Sequence, residues 1–356
     1  MVQSMPDTSP TKWHRAHTTW FFAEFVLGAD GTSGRVWDRP EYRFLYNSYY
    51  DAVGARHPRP ERGLVTRPSI DEVADYRAHI DAAIGELLAG DIGPELADVL
   101  VLGTHHEEQH QELLLLDIKH VLSMNPAIGP AYADVAVAAA ADPGPMGWVE
   151  VGGGLVEVGH GRCDTGTVAG FAFDNEGPRH EVRLYDYALA DRLVTAGEWL
   201  AFVDDGGYRR PELWKSDGWA RVQSEGWDAP LYWRRHPDDP DRWWIHSLTG
   251  LRELDLHEPV VHVSHYEADA FATWSGARLP TEFEWEHSAA QRAIEGVLLD
   301  DQDPAFSFHP RSAGPVAGDL RQLFGDCWEW TSSAYQPYPG FRAAAGAIGE
   351  YNGKFM

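Results

Sequence analysis

The stretch from Glu95 to Val121 constrains the fold more than any other. Val99, Leu102, His106, His110, Leu113 and Asp117 advance in steps of three or four, so they share one face of a helix. At 1.5 Å rise per residue that helix is ~40 Å long, and other helices must cover its face. Two earlier segments can do so. SPTKWHRAHTTWFFAEFVLG places Ser9 as an N-cap, Pro10 at the first helical position and Gly28 as a stop. SIDEVADYRAHIDAAIGELLAG opens on Ser69 with Glu72 three residues on, a capping box, and stops at Gly90. Long helices with short connections predict a bundle.

The character of the chain changes near Asn125. PAIGPAYADVAVAAAADPGPMG is rich in Ala, Pro and Gly and reads as a linker. Beyond it, WVEVGGGLVEVGH and HEVRLYDYALAD alternate like short strands. Two shorter helices follow, capped by Thr195 and Ser264, amid loops rich in Trp, Tyr, Pro and Gly around residues 205–260 and 295–356. The expected fold class is α+β: a helical bundle over 1–128, a linker over 129–145 and a loop-rich domain over 146–356.

Composition excludes several functions. Lys+Arg 29 against Asp+Glu 55 leaves a net charge of −26, which argues against nucleic acid and anionic membranes as partners. No apolar run reaches the ~18 residues of a membrane span. Cys163 and Cys327 are too few for a disulfide framework, and the start MVQSMPDTSPTKW has no signal-peptide pattern. Both features predict a cytoplasmic protein.

His106-Glu107-Glu108-Gln109-His110 carries the chemistry. A spacing of i,i+4 puts both imidazoles one turn apart on one face, within reach of one metal ion. Glu107 stands where a zinc protease of the H-E-x-x-H type has its general base. A third ligand can come from His14 or His17. His17, ahead of Trp20 and Phe21, reads as part of the core stripe; His14, beside Lys12 and Arg15, reads as more exposed. Three imidazoles without thiolate suit zinc, iron(II), copper or nickel alike.

These residues sit in longer matches. SPTKWHRAHTTWFFAEF and HHEEQHQELLLLDIKH resemble the iron-binding helices of a DinB-type bundle. GWVEVGGG, PVVHVSHYEADAFATWSGARLPTEFEWEHSAA and GDCWEWTSSAYQPYPGF resemble the formylglycine-generating-enzyme domain, a C-type-lectin-like fold also called sulfatase-modifying factor. In this order, over almost the whole chain, they resemble the ergothioneine-biosynthesis sulfoxide synthases. The resemblance implies a nonheme iron(II) enzyme. Its substrates are hercynine (Nα-trimethylhistidine), cysteine or γ-glutamylcysteine, and O2. The thiol is joined to C2 of the imidazole and the sulfur becomes a sulfoxide. Carried over by position, the resemblance makes His17, His106 and His110 the iron ligands, leaves His14 outside the set, and puts Gln109 beside the substrate.

Further roles follow from the same resemblance. Tyr49 and Tyr50 match a branch whose catalytic tyrosine comes from a Tyr-Tyr pair in the helical domain; Tyr351 is an alternative. A phenol near iron can donate a proton and steer oxidation toward C–S bond formation. Arg62 and Arg67, in a cluster with Arg56 and Arg59, are candidates for the substrate carboxylates. Trp328, Trp330 and Tyr335 can supply an aromatic cage for the trimethylammonium group.

The chain also departs from the pattern. Relatives have a helix before the QSM-P-D segment, and they continue past YNGKFM into an Arg-Gly-Gly-Ser strand and a final loop. The expectation is therefore a fragment that keeps its iron ligands. Three other functions fit less fully: an ovothiol-type synthase acting on C5 of histidine, an inactive binding protein of the same family, and a formylglycine-generating enzyme. The last needs paired thiols, and Cys163 and Cys327 lie far apart.

Overall fold

The computed structural model describes residues 2–28, 37–125, 129–133, 135, 137, 139–161, 170–290, 292–298, 308–315 and 318–356. Cys163 lies outside them. The chain divides into two compact units. One is built from Met1–Ile128, Gly159–Pro178 and Tyr335–Met356; the other comprises Gly129–Val158 and Arg179–Ala334.

The first unit is helical. Helix α1 spans Thr11–Phe21 and runs into a π-helical turn, Phe22–Val26. Its N-cap is Pro10, without a side-chain cap, rather than Ser9. Ser9 is used elsewhere: its N–H goes to Asp117 at 2.7 Å and its hydroxyl accepts from Arg62 at 3.0 Å. A short helix α2 (Glu41–Tyr46) precedes the Tyr49-Tyr50 loop. Helix α3 spans Ile70–Leu88 and opens on the complete capping box of Ser69 and Glu72. Helix α4 spans Pro94–Ser123.

Gly103 of α4 packs against the rings of Phe21 and Phe22. A Cβ there would lie 2.8 Å from the Phe22 ring and 3.2 Å from the Phe21 ring. Leu113, expected on the covered face, is largely exposed, and the buried positions of α4 are Gly103, His106, Lys119 and Ser123. The core joins Trp13, Ala16, Trp20 and Phe21 of α1 to Tyr42, Tyr46, Tyr50, Val73, Tyr76, Ile80 and Tyr351.

The second unit holds small antiparallel sheets. Strands β1 (Trp148–Val151) and β4 (Tyr187–Ala190) pair, as do β2 (Gly154–Val158) and β3 (His180–Leu184). The caps at Thr195 and Ser264 are capping boxes opening α5 (Ala196–Asp204) and α7 (His265–Trp274). Between them lie α6 (Ser216–Glu225) and a three-stranded sheet: β5 (Trp233–His236), β6 (Asp239–Ser247) and β7 (Gly250–Glu253). This sheet falls where loops were expected. It forms because Trp233, Trp243 and Ile245 turn one face into the core with Trp199, Phe202 and Phe271. Helix α8 (Glu282–Ala289) is capped by Thr281 with Glu284. Ala131 and Tyr132 donate their N–H groups to the carbonyl of Leu248, and Ala140 N–H reaches Asp255 at 2.7 Å. Among the described residues, no helix is long and apolar enough to cross a membrane.

Candidate metal centre

Helices α1 and α4 bring His17, His106 and His110 together. Each offers a ring nitrogen, and the three nitrogens lie within 4.8 Å of one another. Ring centroids are 4.9 Å apart for His17 and His106, 4.7 Å for His17 and His110, and 4.6 Å for His106 and His110. Burial lowers the basicity of all three. His106 is brought down to about 3, and His17 and His110 are further lowered by their imidazole neighbours. The rings are neutral near pH 7, so each has a nitrogen lone pair to offer.

Packing fixes their orientation. His17 is sandwiched between Trp13 at 4.6 Å and Trp20 at 5.5 Å, both rings nearly parallel to it. Its Nδ1 donates to the carbonyl of Tyr46 at 2.6 Å, which leaves Nε2 as the lone-pair nitrogen. The outer face of Trp13 carries the Arg62 guanidinium at 3.4 Å. Phe21 packs on His106 at 4.6 Å.

The donor set fits a metal ion. His17 Nε2 and His106 Nδ1 are buried with no hydrogen-bond partner among the described residues. Buried polar atoms nearly always have a partner, and a bound cation would supply one.

His14 is buried, not exposed, with 4% of its surface accessible. Its polar flanks mislead because Lys12 is buried too, with Nζ donating to the carbonyls of Val65 and Pro68. His14 Nδ1 lies 2.8 Å from His110 Nδ1, and its Nε2 lies 2.9 Å from Asp117 Oδ2. The i,i+3 spacing of His14 and His17 is the sequence signal for their common face.

Tyr351 packs edge-on against His106 at 5.9 Å and donates its O–H to Gln109 Oε1. Tyr50 is fully buried against Trp20 and Phe25 and hydrogen-bonds Tyr49 at 3.3 Å between the hydroxyls. Burial raises all three phenols, Tyr49 to about 12. Arg62 is buried, with its fork engaged by the Ser9 and Ser48 hydroxyls. Arg67 is exposed. Glu107 is held by Arg77 at 3.0 Å, an ion pair between α3 and α4 that removes it from a general-base role. Trp328, Trp330 and Tyr335 are 87%, 49% and 52% exposed.

Fold and site define a two-part protein: a helical unit with a buried cluster of three neutral imidazoles, and a loop-rich domain. The loop-rich part matches the family described as "Sulfatase-modifying factor enzyme 1-like domain" over residues 138–354. The hercynine oxygenase of Mycolicibacterium smegmatis is 33% identical, covering 95% of this chain and 78% of its own length. That of Mycolicibacterium thermoresistibile is also 33% identical, with 94% and 75% covered. The formylglycine-generating enzyme of Streptomyces coelicolor is 32% identical over 58% of this chain and 77% of its own length. The chain belongs to the family of the hercynine oxygenases.

Proposed function

We propose that the protein is a nonheme iron(II), O2-dependent sulfoxide synthase of ergothioneine biosynthesis, joining cysteine or γ-glutamylcysteine to C2 of hercynine. The observation that carries this reading is the buried set of His17, His106 and His110 in a chain that aligns along most of its length with hercynine oxygenases. His17, His106 and His110 would hold iron(II), which, on three neutral imidazoles, would keep its charge and supply thiolate formation and O2 chemistry.

The chain's own residues set the stage. His17 is clamped by two tryptophans and the Tyr46 carbonyl, which fixes the direction of Nε2. Gln109, one residue before His110, presents its amide to the substrate. Tyr351 keeps its proton, because burial disfavours the phenolate, and can deliver it from the hydroxyl that now rests on Gln109. Tyr50 and Tyr49 stand behind it as a second pair of phenols. Arg62 acts by stacking on Trp13, which stacks on His17. Arg67 is exposed and donates from one Nη to the Thr66 carbonyl at 3.3 Å, and its other donors can meet a substrate carboxylate.

The test is oxygen uptake by protein loaded anaerobically with Fe(II), with product mass as the second readout. Uptake is expected with hercynine plus either thiol and not with hercynine alone. Uptake with histidine in place of hercynine identifies an ovothiol-type enzyme instead. Tight hercynine binding without uptake identifies a binding protein and overturns the reading. Tyr351→Phe is expected to lower kcat by ~100-fold or more, and Tyr50→Phe by less.

A further inference from the structure

The geometry points to His14 and Asp117 as positioning residues that fix the tautomer of His110. This inference rests on the metal-centre reading above and extends it to two residues outside the ligand set.

The relay can be followed atom by atom. His14 lies on α1 one turn before His17; Asp117 lies on α4 two turns after His110. Asp117 Oδ2 accepts the Ser9 N–H at 2.7 Å and faces His14 Nε2 at 2.9 Å. A carboxylate only accepts, so the proton of this contact sits on His14 Nε2. In this relay His14 carries a single proton, on Nε2, and its Nδ1 is the acceptor. It lies 2.8 Å from His110 Nδ1, which must therefore be the donor. With the proton on Nδ1, the lone pair of His110 is confined to Nε2.

His17 reaches the same state by a different route, donating Nδ1–H to the Tyr46 carbonyl. Two of the three imidazoles are thus set to offer Nε2. For His110 the work is done by a side-chain pair on two helices rather than by a backbone carbonyl. Neither His14 nor Asp117 is needed as a ligand for this role. Without His14, His110 can carry its proton on either nitrogen, and one of the two tautomers cannot bind metal through Nε2.

The test uses Co(II) alone, titrated anaerobically into the full chain. Calorimetry gives the affinity and the visible ligand-field bands give the geometry. His14→Leu removes the acceptor at similar volume. Asp117→Asn keeps the shape but loses the charge, and its amide can turn to donate, which inverts the relay. His14→Gln restores one acceptor and one donor. Affinity is expected to fall 10–100-fold in His14→Leu and Asp117→Asn, with altered bands, and to recover in His14→Gln. His17→Ala serves as the control for the centre itself. If the wild type does not bind Co(II), or His17→Ala binds like the wild type, the metal-centre reading fails. If the wild type binds, His17→Ala does not, and Asp117→Asn binds within twofold of the wild type with the same bands, the relay is overturned and the centre stands. Should His14→Leu fail to fold, Asp117→Asn decides alone.

Discussion

A buried ionisable residue reveals what its surroundings demand, and Glu329 shows this outside the metal centre. Burial pushes its carboxyl from its ordinary 4.5 up to about 7, with Asp326 adding to the shift. The folded chain therefore holds a proton that the unfolded chain releases. That contribution to stability is full below about pH 4.5 and is lost as pH rises through about 7. Glu329→Gln has the same shape and does not titrate. Urea unfolding at pH 5 and pH 8 should show the wild type losing on the order of 2–3 kcal/mol relative to the variant between the two; parallel curves would show that Glu329 is not protonated in the fold. Residues differ in how openly the sequence shows such roles. His106 and His110 are legible because i,i+4 on a long periodic helix has one geometric meaning. His14 is not, because its partners His110 and Asp117 lie on α4, far away in sequence. The prominence of Tyr351 is likewise set by a partner, Gln109, that no local pattern connects to it.

Among the elements, α1 and α4 do the positioning, and Gly103 of α4 is packed against the Phe21 and Phe22 rings. Alanine there gains up to ~1 kcal/mol of helix propensity. Its Cβ also meets the Phe22 ring at 2.8 Å, closer than real Cβ contacts allow. Over-packing costs ~1–3 kcal/mol, so the crowding outweighs the gain. Gly103→Ala should therefore lower the urea midpoint, and should weaken metal binding by moving His106 less than one turn away. A variant that is more stable and binds metal normally would show that the rings have room to yield. The capped helices of both units are readable in advance, since Ser69, Thr195 and Ser264 each have Glu three residues on and a hydrophobic run behind. Thr281 with Glu284 offers the same signal for α8. The sheet β5–β7 is harder to read. Asp239, Pro240, Asp241 and Arg242 open its longest strand with four polar or strand-averse residues, and the alternation emerges only from Trp243 onward.

For the molecule as a whole, the helical unit is not one continuous stretch. Phe171 stacks on His105 at 3.8 Å, Phe173 stacks on Tyr351 at 5.7 Å, and Glu350 accepts the N–H groups of Asp51 and Ala52. Lys354 donates to the Tyr49 carbonyl and pairs with Asp51 and Glu350. Residues 1–128 expressed alone would lack these partners. Each lost ring contact removes up to about 1.5–3 kcal/mol of burial, against the ~5–15 kcal/mol that holds a domain folded. That fragment should unfold at a lower urea concentration than the helical unit of the full chain and should bind a hydrophobic dye. Equal midpoints would mean that Gly159–Pro178 and Tyr335–Met356 contribute nothing to the bundle. This arrangement also sets an order of events during synthesis. Tyr351 and Gln109 are separated by 242 positions. At ~5–20 residues per second, a ribosome needs about 12–48 s to travel from one to the other. The three imidazoles leave the exit tunnel early in that interval and Tyr351 only after it, so the histidine cluster can assemble before the group that rests on Gln109 has been made.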